Sequence, residues 1–200
     1  MKRLFIVTCL LILSIGVFAQ NEAGQIYVQP KIGLSIADFT NDDEASPRFG
    51  LVGGVELGYQ ITELLGLSAG ILYSMQGAEN EMSYQGSNVK CQLKMDYINI
   101  PILASISLYK GLALKFGVQP GFNISSRYAV ASQGMHISGN LSDTGIIVES
   151  IDFSVPIGLS YDYKNFVLEG RYNLGAMRIV KEDEPKHSVI QLTLGYKFGL

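Results

Sequence analysis

The stretch from Leu112 to Ser125 alternates strictly between apolar residues and small or polar residues, and this alternation constrains the fold more than any other feature of the sequence. The even-numbered residues from Leu112 to Ile124 are apolar, whereas the odd-numbered residues are small or polar and include Lys115 and Gln119. Residues of the same parity, odd or even, therefore share one chemical character. Because successive side chains of a β-strand point to opposite faces, the stretch predicts a strand with one apolar and one polar face. It is long enough for a tilted membrane-crossing strand, which needs about 9–11 residues.

The same alternation recurs about eight times along the chain, and the connections are alternately long and short. The predicted strands are 26–37, 49–59, 65–75, 95–108, 112–125, 151–161, 166–174 and 190–200. The predicted long polar loops are 38–48, 76–89, 126–149 and 178–187. Short periplasmic turns and longer outside loops are typical of outer-membrane barrels. The sequence therefore predicts an all-β protein, an eight-stranded antiparallel up-and-down transmembrane β-barrel.

The first residues have the composition of an export signal. Basic Met1-Lys2-Arg3 precedes an apolar run from Leu4 to Phe18, and Val17-Phe18-Ala19 has small residues at the positions that a signal peptidase requires. We therefore expect a signal peptide at residues 1–19, cleaved after Ala19, and a barrel domain at residues 20–200. Cys91 is then the only cysteine of the mature protein, so no internal disulfide is expected.

Parity alone does not decide which face lies inside. A soluble barrel of the lipocalin type would bury the apolar face and expose the polar one. Here the polar face is mostly Gly, Ser, Asn and Gln, and charged residues make up 16% of the sequence, below the soluble average of about 25%. Such a face suits a narrow barrel interior better than a water-exposed surface. We therefore predict that the apolar face contacts lipid.

The few charged residues of the polar face are nearly balanced in sign. The cations are Lys31, Lys115, Arg171 and Lys197, and the anions are Glu56, Asp152 and Glu169. Since an unpaired buried charge costs several kcal/mol, we predict ion pairs among these residues inside the barrel. At eight strands an interior is just filled by side chains, which favours a lumen-filling role. The alternative is that the same charges gate a conductance path.

Aromatic residues are predicted to mark both membrane interfaces, where amphipathic rings are favoured. The periplasmic set is Tyr59, Tyr109, Tyr161, Phe166, Tyr196 and Phe198. The outer set is Phe49, Tyr73, Tyr97, Phe122, Phe153 and Tyr172.

Several segments resemble the PorT-like "porin family" of outer-membrane β-barrel proteins. These are I-G-L-S at 32–35, Y-I-N-I-P-I-L-A at 97–104, G-V-Q-P-G at 117–121 and the closing alternation from Val189 to Leu200. The resemblance covers essentially the whole mature chain. It implies an eight-stranded barrel of the OmpA or OmpX shape, inserted by the outer-membrane assembly machinery. The last strand resembles the insertion signal of such proteins, although Leu200 stands where an aromatic residue is usual.

The sequence offers little catalytic chemistry. No metal site and no cofactor are predicted, because no Cys/His cluster or phosphate-binding loop is present. His136-Ile137-Ser138 resembles the H-x-S motif of outer-membrane lipid A deacylases, and Glu149 could supply the orienting carboxylate. Their position in a Gly/Ser-rich loop favours ordinary exposed residues instead. The acidic runs 42–44 and 182–184 could bind divalent cations that bridge lipopolysaccharide, although such runs are more often only solvated.

The predicted function is accordingly structural or surface-interacting, with a polar plugged lumen and long extracellular loops, and without enzyme activity. The predicted partners are outer-membrane lipid, lipopolysaccharide, the assembly machinery and an extracellular ligand of the loops. Nucleic acid is not among them, since the formal net charge is −3. The main alternative is a narrow channel for ions or small solutes, and the weaker one is the lipid A hydrolase.

Overall fold

The computed structural model describes residues 23–40, 46–84, 87–132, 135–141, 150–176 and 186–200. The predicted signal peptide lies outside this range, as do the acidic runs 42–44 and 182–184. Almost all of the described residues belong to β-strands. In these ranges no helix is both long enough and apolar enough to span a membrane.

The strands are longer than the sequence pattern suggested. The first six are β1 Ile26–Thr40, β2 Ser46–Gln60, β3 Leu65–Tyr84, β4 Ser87–Asn99, β5 Ile102–Tyr109 and β6 Leu112–Ser132. The others are β7 Met135–Asn140, β8 Ile151–Tyr163, β9 Phe166–Gly175, β10 Lys186–Tyr196 and β11 Phe198–Gly199.

Antiparallel pairing joins these strands into a closed barrel. The pairing order is β1, β2, β3, β4, β6, β8, β9 and β10, with β5 also lying between β3 and β6, and β10 and β11 both pair with β1, which closes the sheet. Strands β4 and β5 act as one barrel strand, as do β10 and β11, and β7 pairs with β6. The architecture is therefore an eight-stranded antiparallel barrel, as the sequence predicted.

Two predicted strands are interrupted. The predicted fourth strand is divided at Ile100 and Pro101, because proline has no N–H to donate to a ladder. Its pairing register with β3 is the same on both sides of the break. The predicted last strand is interrupted at Lys197, whose backbone N–H bonds to the carbonyl of Asn165.

Strand structure extends into two of the predicted long loops. The segment 76–89 continues β3 and β4 as a paired hairpin, and the segment 126–149 begins with the end of β6 and its partner β7. Sequence alternation did not reveal these extensions. It appears only where one face of a strand must be apolar, whereas a hairpin beyond the barrel wall can be polar on both faces.

The two ends of the barrel differ. One end, here the turn end, carries the short connections at 61–64, 110–111 and 164–165. The opposite end, here the hairpin end, carries the extensions of β3 with β4 and of β6 with β7. At the turn end Gly111 has φ +85°, and a Cβ there would lie 2.4 Å from the carbonyl oxygen of Asp162. Glycine is therefore required at this tight turn.

The outer surface is apolar and the interior is mostly polar. Along β10, Ile190, Leu192 and Leu194 are about half exposed, while the intervening Gln191 and Thr193 are buried. The same alternation puts Phe116 and Ile157 outside and Lys115 and Glu169 inside. A continuous apolar surface of this size is typical of a lipid-facing wall.

Candidate functional site: a buried charge cluster

Five charged side chains meet inside the barrel. Here they are called the charge cluster, and its members are Lys31 on β1, Glu56 on β2, Lys115 on β6, and Glu169 and Arg171 on β9. Each residue has the parity of the inward face of its strand. The alternation that turns apolar neighbours outward therefore also turns these five side chains toward the barrel axis.

Each cation of the charge cluster contacts both carboxylates. Lys31 Nζ lies 2.8 Å from Glu56 Oε1 and 2.9 Å from Glu169 Oε2. Lys115 Nζ lies 2.9 Å from Glu169 Oε2 and 3.8 Å from Glu56 Oε2. Arg171 Nη2 donates to Glu56 Oε1 at 2.8 Å, and its Nε donates to Glu169 Oε1 at 2.7 Å. The cluster thus ties four strands together across the interior.

The charge cluster is shielded from solvent. None of its five residues is more than 5% exposed. Removing such charges from water costs several kcal/mol per ion, which only close pairing and hydrogen bonding can offset. The multiple contacts of Glu56 and Glu169 provide this compensation.

Glycines leave space for the long charged side chains. Lys115 and Arg171 both face Gly158 in the β-ladders, and Glu56 faces Gly70. A Cβ at Gly70 would lie 2.6 Å from Glu56 Cγ, and one at Gly158 would lie 2.9 Å from Arg171 Cα. The glycines on the polar face are therefore part of the site, since larger residues would occupy the volume of the cluster.

Lys197 and Asp152 lie apart from the charge cluster, although the sequence grouped them with it. Lys197 follows the break after β10 at the turn end, where it pairs with Asp162 and lies 4.6 Å from the ring centre of Tyr27. Asp152 lies opposite Gly121 near the far end of β8. In the described part of the chain no ion pair joins either residue to the cluster. The reason is position along the strands, which parity does not specify.

Uncharged polar side chains fill other parts of the interior. Gln119 donates to Ser154, and both Gln76 and Gln191 reach the hydroxyl of Ser74. Other buried amide groups have no hydrogen-bond partner, including both side-chain atoms of Gln29 and of Asn173. The interior thus contains many polar side chains, but some of their buried atoms form no hydrogen bond with other protein groups.

Sequence reasoning missed the apolar residues of the interior. Val52, Leu72, Leu103, Val167 and Val189 are all buried. Their position on the polar parity was visible in the sequence, but the many Gly, Ser and Gln residues of that parity obscured it. The lining is therefore mixed, and not uniformly polar.

The prediction that Tyr97 belongs to an outer ring of surface aromatics is wrong. Tyr97 is only 1% exposed and packs with Met95 and Leu141, with Leu93 and Tyr128 beside them. This group, here the apolar cap, lies toward the hairpin end. Tyr97 has the same parity as Asn99, whose side chain points inward. The pairing register with β6 shifts between Asp96 and Tyr97.

The other predicted interface aromatics lie toward the two ends of the barrel wall. Tyr59, Tyr109, Tyr161, Tyr196 and Phe198 are near the turn end, whereas Tyr73, Phe122 and Tyr172 are toward the hairpin end. Phe166, Tyr196 and Phe198 form a contiguous aromatic group with ring centroids 5.1 and 4.7 Å apart.

A polar patch interrupts the apolar outer wall toward the hairpin end. Arg127 Nη2 lies 3.4 Å from Asp96 Oδ2, and Lys94 faces Arg127 directly in the β4–β6 ladder. The Arg127 side chain is 58% exposed. Phe122 and Ile124 are exposed immediately before it on β6. This basic patch, Lys94 and Arg127, borders the apolar surface.

The residues of the possible hydrolase triad gain no support. Ser138 is exposed on β7, and His136 lies on the same strand, but Glu149 lies outside the described residues. The described residues also contain no group of three or more potential metal-ligating His, Cys, Asp or Glu side chains. Neither a triad nor a metal centre is therefore defined by the geometry.

A closed barrel with an apolar wall and charged side chains buried inside is an integral membrane β-barrel. Residues 18–179 match the family described as outer membrane protein beta-barrel domain, and the chain belongs to that family. The protein accordingly resides in the cell outer membrane, which confirms the predicted location. The narrower PorT-like assignment stays a prediction.

Solved structures similar to this chain are also outer-membrane proteins. Ail of Yersinia pestis, in complex with the heparin analogue sucrose octasulfate, is 14% identical with a TM-score of 0.49, covering 88% of this chain and 99% of that one. Neisserial surface protein A is 16% identical with a TM-score of 0.46, covering 86% and 97%. OprG of Pseudomonas aeruginosa is 8% identical with a TM-score of 0.40, covering 91% and 99%. No curated protein matches the sequence.

Proposed function

We propose that this outer-membrane protein acts through its outer surface and not through a pore, with its lumen plugged by the charge cluster. The observation that supports this proposal is the pairing within the charge cluster. Each of its three cations contacts both of its carboxylates, and all five residues are buried. Ion passage would require these contacts to separate in a region shielded from water, which is energetically costly.

The proposed working surface is the hairpin end, which we orient toward the cell exterior. The turn end then faces the periplasm, in keeping with the short periplasmic turns of such barrels. In this orientation the predicted aromatic residues other than Tyr97 would lie at the two lipid interfaces, and the strand extensions and connecting loops would be available to an extracellular ligand. Insertion would depend on the outer-membrane assembly machinery acting on the final alternating strand.

Lipopolysaccharide is the proposed partner of the basic patch. Lys94 and Arg127 lie just beyond the exposed apolar residues Phe122 and Ile124, at the height where lipid phosphates would meet the wall. Arginine and lysine are the side chains that bind phosphate groups most effectively. The proposal includes no catalytic step, and lipid A extracted after expression should keep its mass.

Conductance in planar bilayers tests the plugged lumen. The wild-type protein should give no steady openings, because the charge cluster blocks the interior. The second candidate, a narrow channel, is favoured by the unpartnered interior amides of Gln29 and Asn173, which could hydrate a path. Steady wild-type openings that change with Glu56→Gln would replace the plugged-lumen proposal by the channel.

Lipid binding tests the basic patch separately. Thermal unfolding of the protein in phosphatidylcholine vesicles should shift upward when lipopolysaccharide is added. The double variant Lys94→Gln/Arg127→Gln should lose most of that shift. Lys110→Gln is the matched control, because it removes an exposed lysine at the turn end. Equal shifts in all three proteins would contradict the assignment of the patch.

A further inference from the structure

The charge cluster carries more positive than negative charge. It contains three cations, Lys31, Lys115 and Arg171, but only two carboxylates, Glu56 and Glu169. We propose that the cluster binds a small monovalent anion of the chloride type inside the barrel. This inference goes beyond the proposed surface function, because it concerns a ligand of the interior.

Among the described residues, no other acidic side chain is paired with the cluster. The buried carboxylate of Asp162 is paired with Lys197 at the turn end. Asp152 lies several residues farther along β8 from Gly158, the position that faces Lys115. Because an uncompensated buried charge is costly, a neutralising partner at the cluster itself is favoured.

One unpartnered donor belongs to the cluster itself, and a second belongs to a neighbouring residue on β1. Nη1 of Arg171 is buried and has no hydrogen-bond partner, although the other guanidinium nitrogens are bound to carboxylates. The side-chain amide of Gln29 is also buried and unpartnered. Gln29 faces Glu56 in the β1–β2 ladder and precedes Lys31 by two residues on the same face. Buried N–H donors beside a surplus positive charge are the groups that bind an anion in a protein interior.

The size of the anion follows from the surroundings. The cluster is buried and its surroundings are close-packed, since a Cβ at Gly70 would lie 2.6 Å from Glu56 Cγ and one at Gly158 would lie 2.9 Å from Arg171 Cα. A halide fits this setting better than a carboxylate or phosphate, whose additional oxygens would each need a buried donor. Glu56 Oε2 accepts no hydrogen bond, but it lies 3.8 Å from Lys115 Nζ and so faces a cation.

Refolding in different sodium salts tests the proposal. Since the site is enclosed, the anion must be present while the barrel folds, so the full mature protein is refolded into detergent micelles in each salt. At constant ionic strength, chloride or bromide should raise the unfolding temperature relative to gluconate, which is too large to enter. The effect should saturate with halide concentration, as expected for a bound ligand.

Variants of the cluster should change this halide dependence in opposite directions. Lys115→Gln balances the charges and should abolish the halide effect, whereas Glu56→Gln increases the surplus and should strengthen it. Lys197→Gln is the matched control, because its pair with Asp162 lies outside the cluster, and it should retain the effect. A halide effect that persists unchanged in Lys115→Gln would place the anion elsewhere and overturn the proposal.

Anomalous scattering provides a readout that does not depend on how well the variants fold. Wild-type crystals grown from protein refolded in bromide should show a bromide peak within hydrogen-bond distance of Arg171 Nη1. No peak at this position, or identical unfolding temperatures in chloride and gluconate, would also overturn the proposal. The conductance and lipopolysaccharide experiments are unaffected by either result, so the surface function is judged separately.

Discussion

Arg171 and Glu56 lie on strands far apart in the barrel wall, yet the Arg171 guanidinium donates to Glu56 across the interior at 2.8 Å. This contact joins β9 to β2, and 115 residues separate the two partners in sequence. The interior is therefore held together by charge pairing between walls as well as by the backbone ladders of the wall itself.

Removing one carboxylate of the charge cluster should destabilise the barrel strongly. Glu56→Gln leaves Lys31 and Arg171 with fewer counter-charges in a buried site, and breaking a buried pair of this kind costs about 3–5 kcal/mol. Urea unfolding in a lipid or detergent host measures the loss. Glu63→Gln, at an exposed position of the turn end, is the control and should change the free energy of unfolding little.

The losses in unfolding free energy caused by substituting Lys31 and Glu56 should be strongly non-additive. Because their charged atoms lie 2.8 Å apart, the double variant Lys31→Met/Glu56→Gln should lose less stability than the two single variants combined. A double-mutant cycle on the free energy of unfolding checks this. Additive losses would mean that each residue acts independently of the other.

The glycines opposite the cluster should not tolerate a methyl group. A Cβ at Gly70 would lie 2.5 Å from the carbonyl oxygen of Val55 and 2.6 Å from Glu56 Cγ. Gly70→Ala should therefore cost about 1–3 kcal/mol of unfolding free energy, as overpacked sites do. Gly170→Ala adds the same group where no atom lies within 4 Å, and it should be nearly neutral. Similar losses for the two variants would contradict the packing argument.

A charged residue introduced on the outward face of the wall should destabilise the barrel more the deeper it lies in the bilayer. Leu192 and Ile137 are similarly exposed, at 53% and 54%, but Leu192 is on the barrel wall and Ile137 is on the β7 extension. Leu192→Arg should cost about 2–4 kcal/mol near the bilayer midplane. Ile137→Arg should cost little. Unfolding from vesicles compares the two, and equal costs would show that the wall does not face lipid at Leu192.

The apolar cap should hold the β6–β7 hairpin against the barrel. Leu141 follows β7 and is 5% exposed against Met95 and Tyr97, so Leu141→Ala removes contacts of the cap. We expect faster amide hydrogen exchange in β7 without an equal change in the strands of the charge cluster. Ile137→Ala is the exposed control. Unchanged β7 protection in Leu141→Ala would show that the cap does not anchor the hairpin.

The sequence predicted the barrel and the outward-facing side of its strands because both depend on a period of two. The same parity that turned Phe116 and Leu192 outward turned Lys115 and Glu169 inward. Parity does not specify height along the axis, however, so Lys197 and Asp152 could not be separated from the cluster. The parity of Tyr97 places its side chain inside the barrel, and the assignment to the outer interface rested on its aromatic character instead. Parity also did not reveal that the polar segment 76–89 continues as paired strand.

The charge cluster joins side chains from four strands, and this affects the register in which the strands pair during assembly. A β-strand that closed one residue out of step would exchange its two faces, which would present Glu169 or Lys31 to hydrocarbon. The cluster joins β1 to β9, so its complete set of contacts requires the strands between them to be correctly aligned. Misaligned closure is therefore disfavoured, because a shifted strand would place an unpaired ion in lipid.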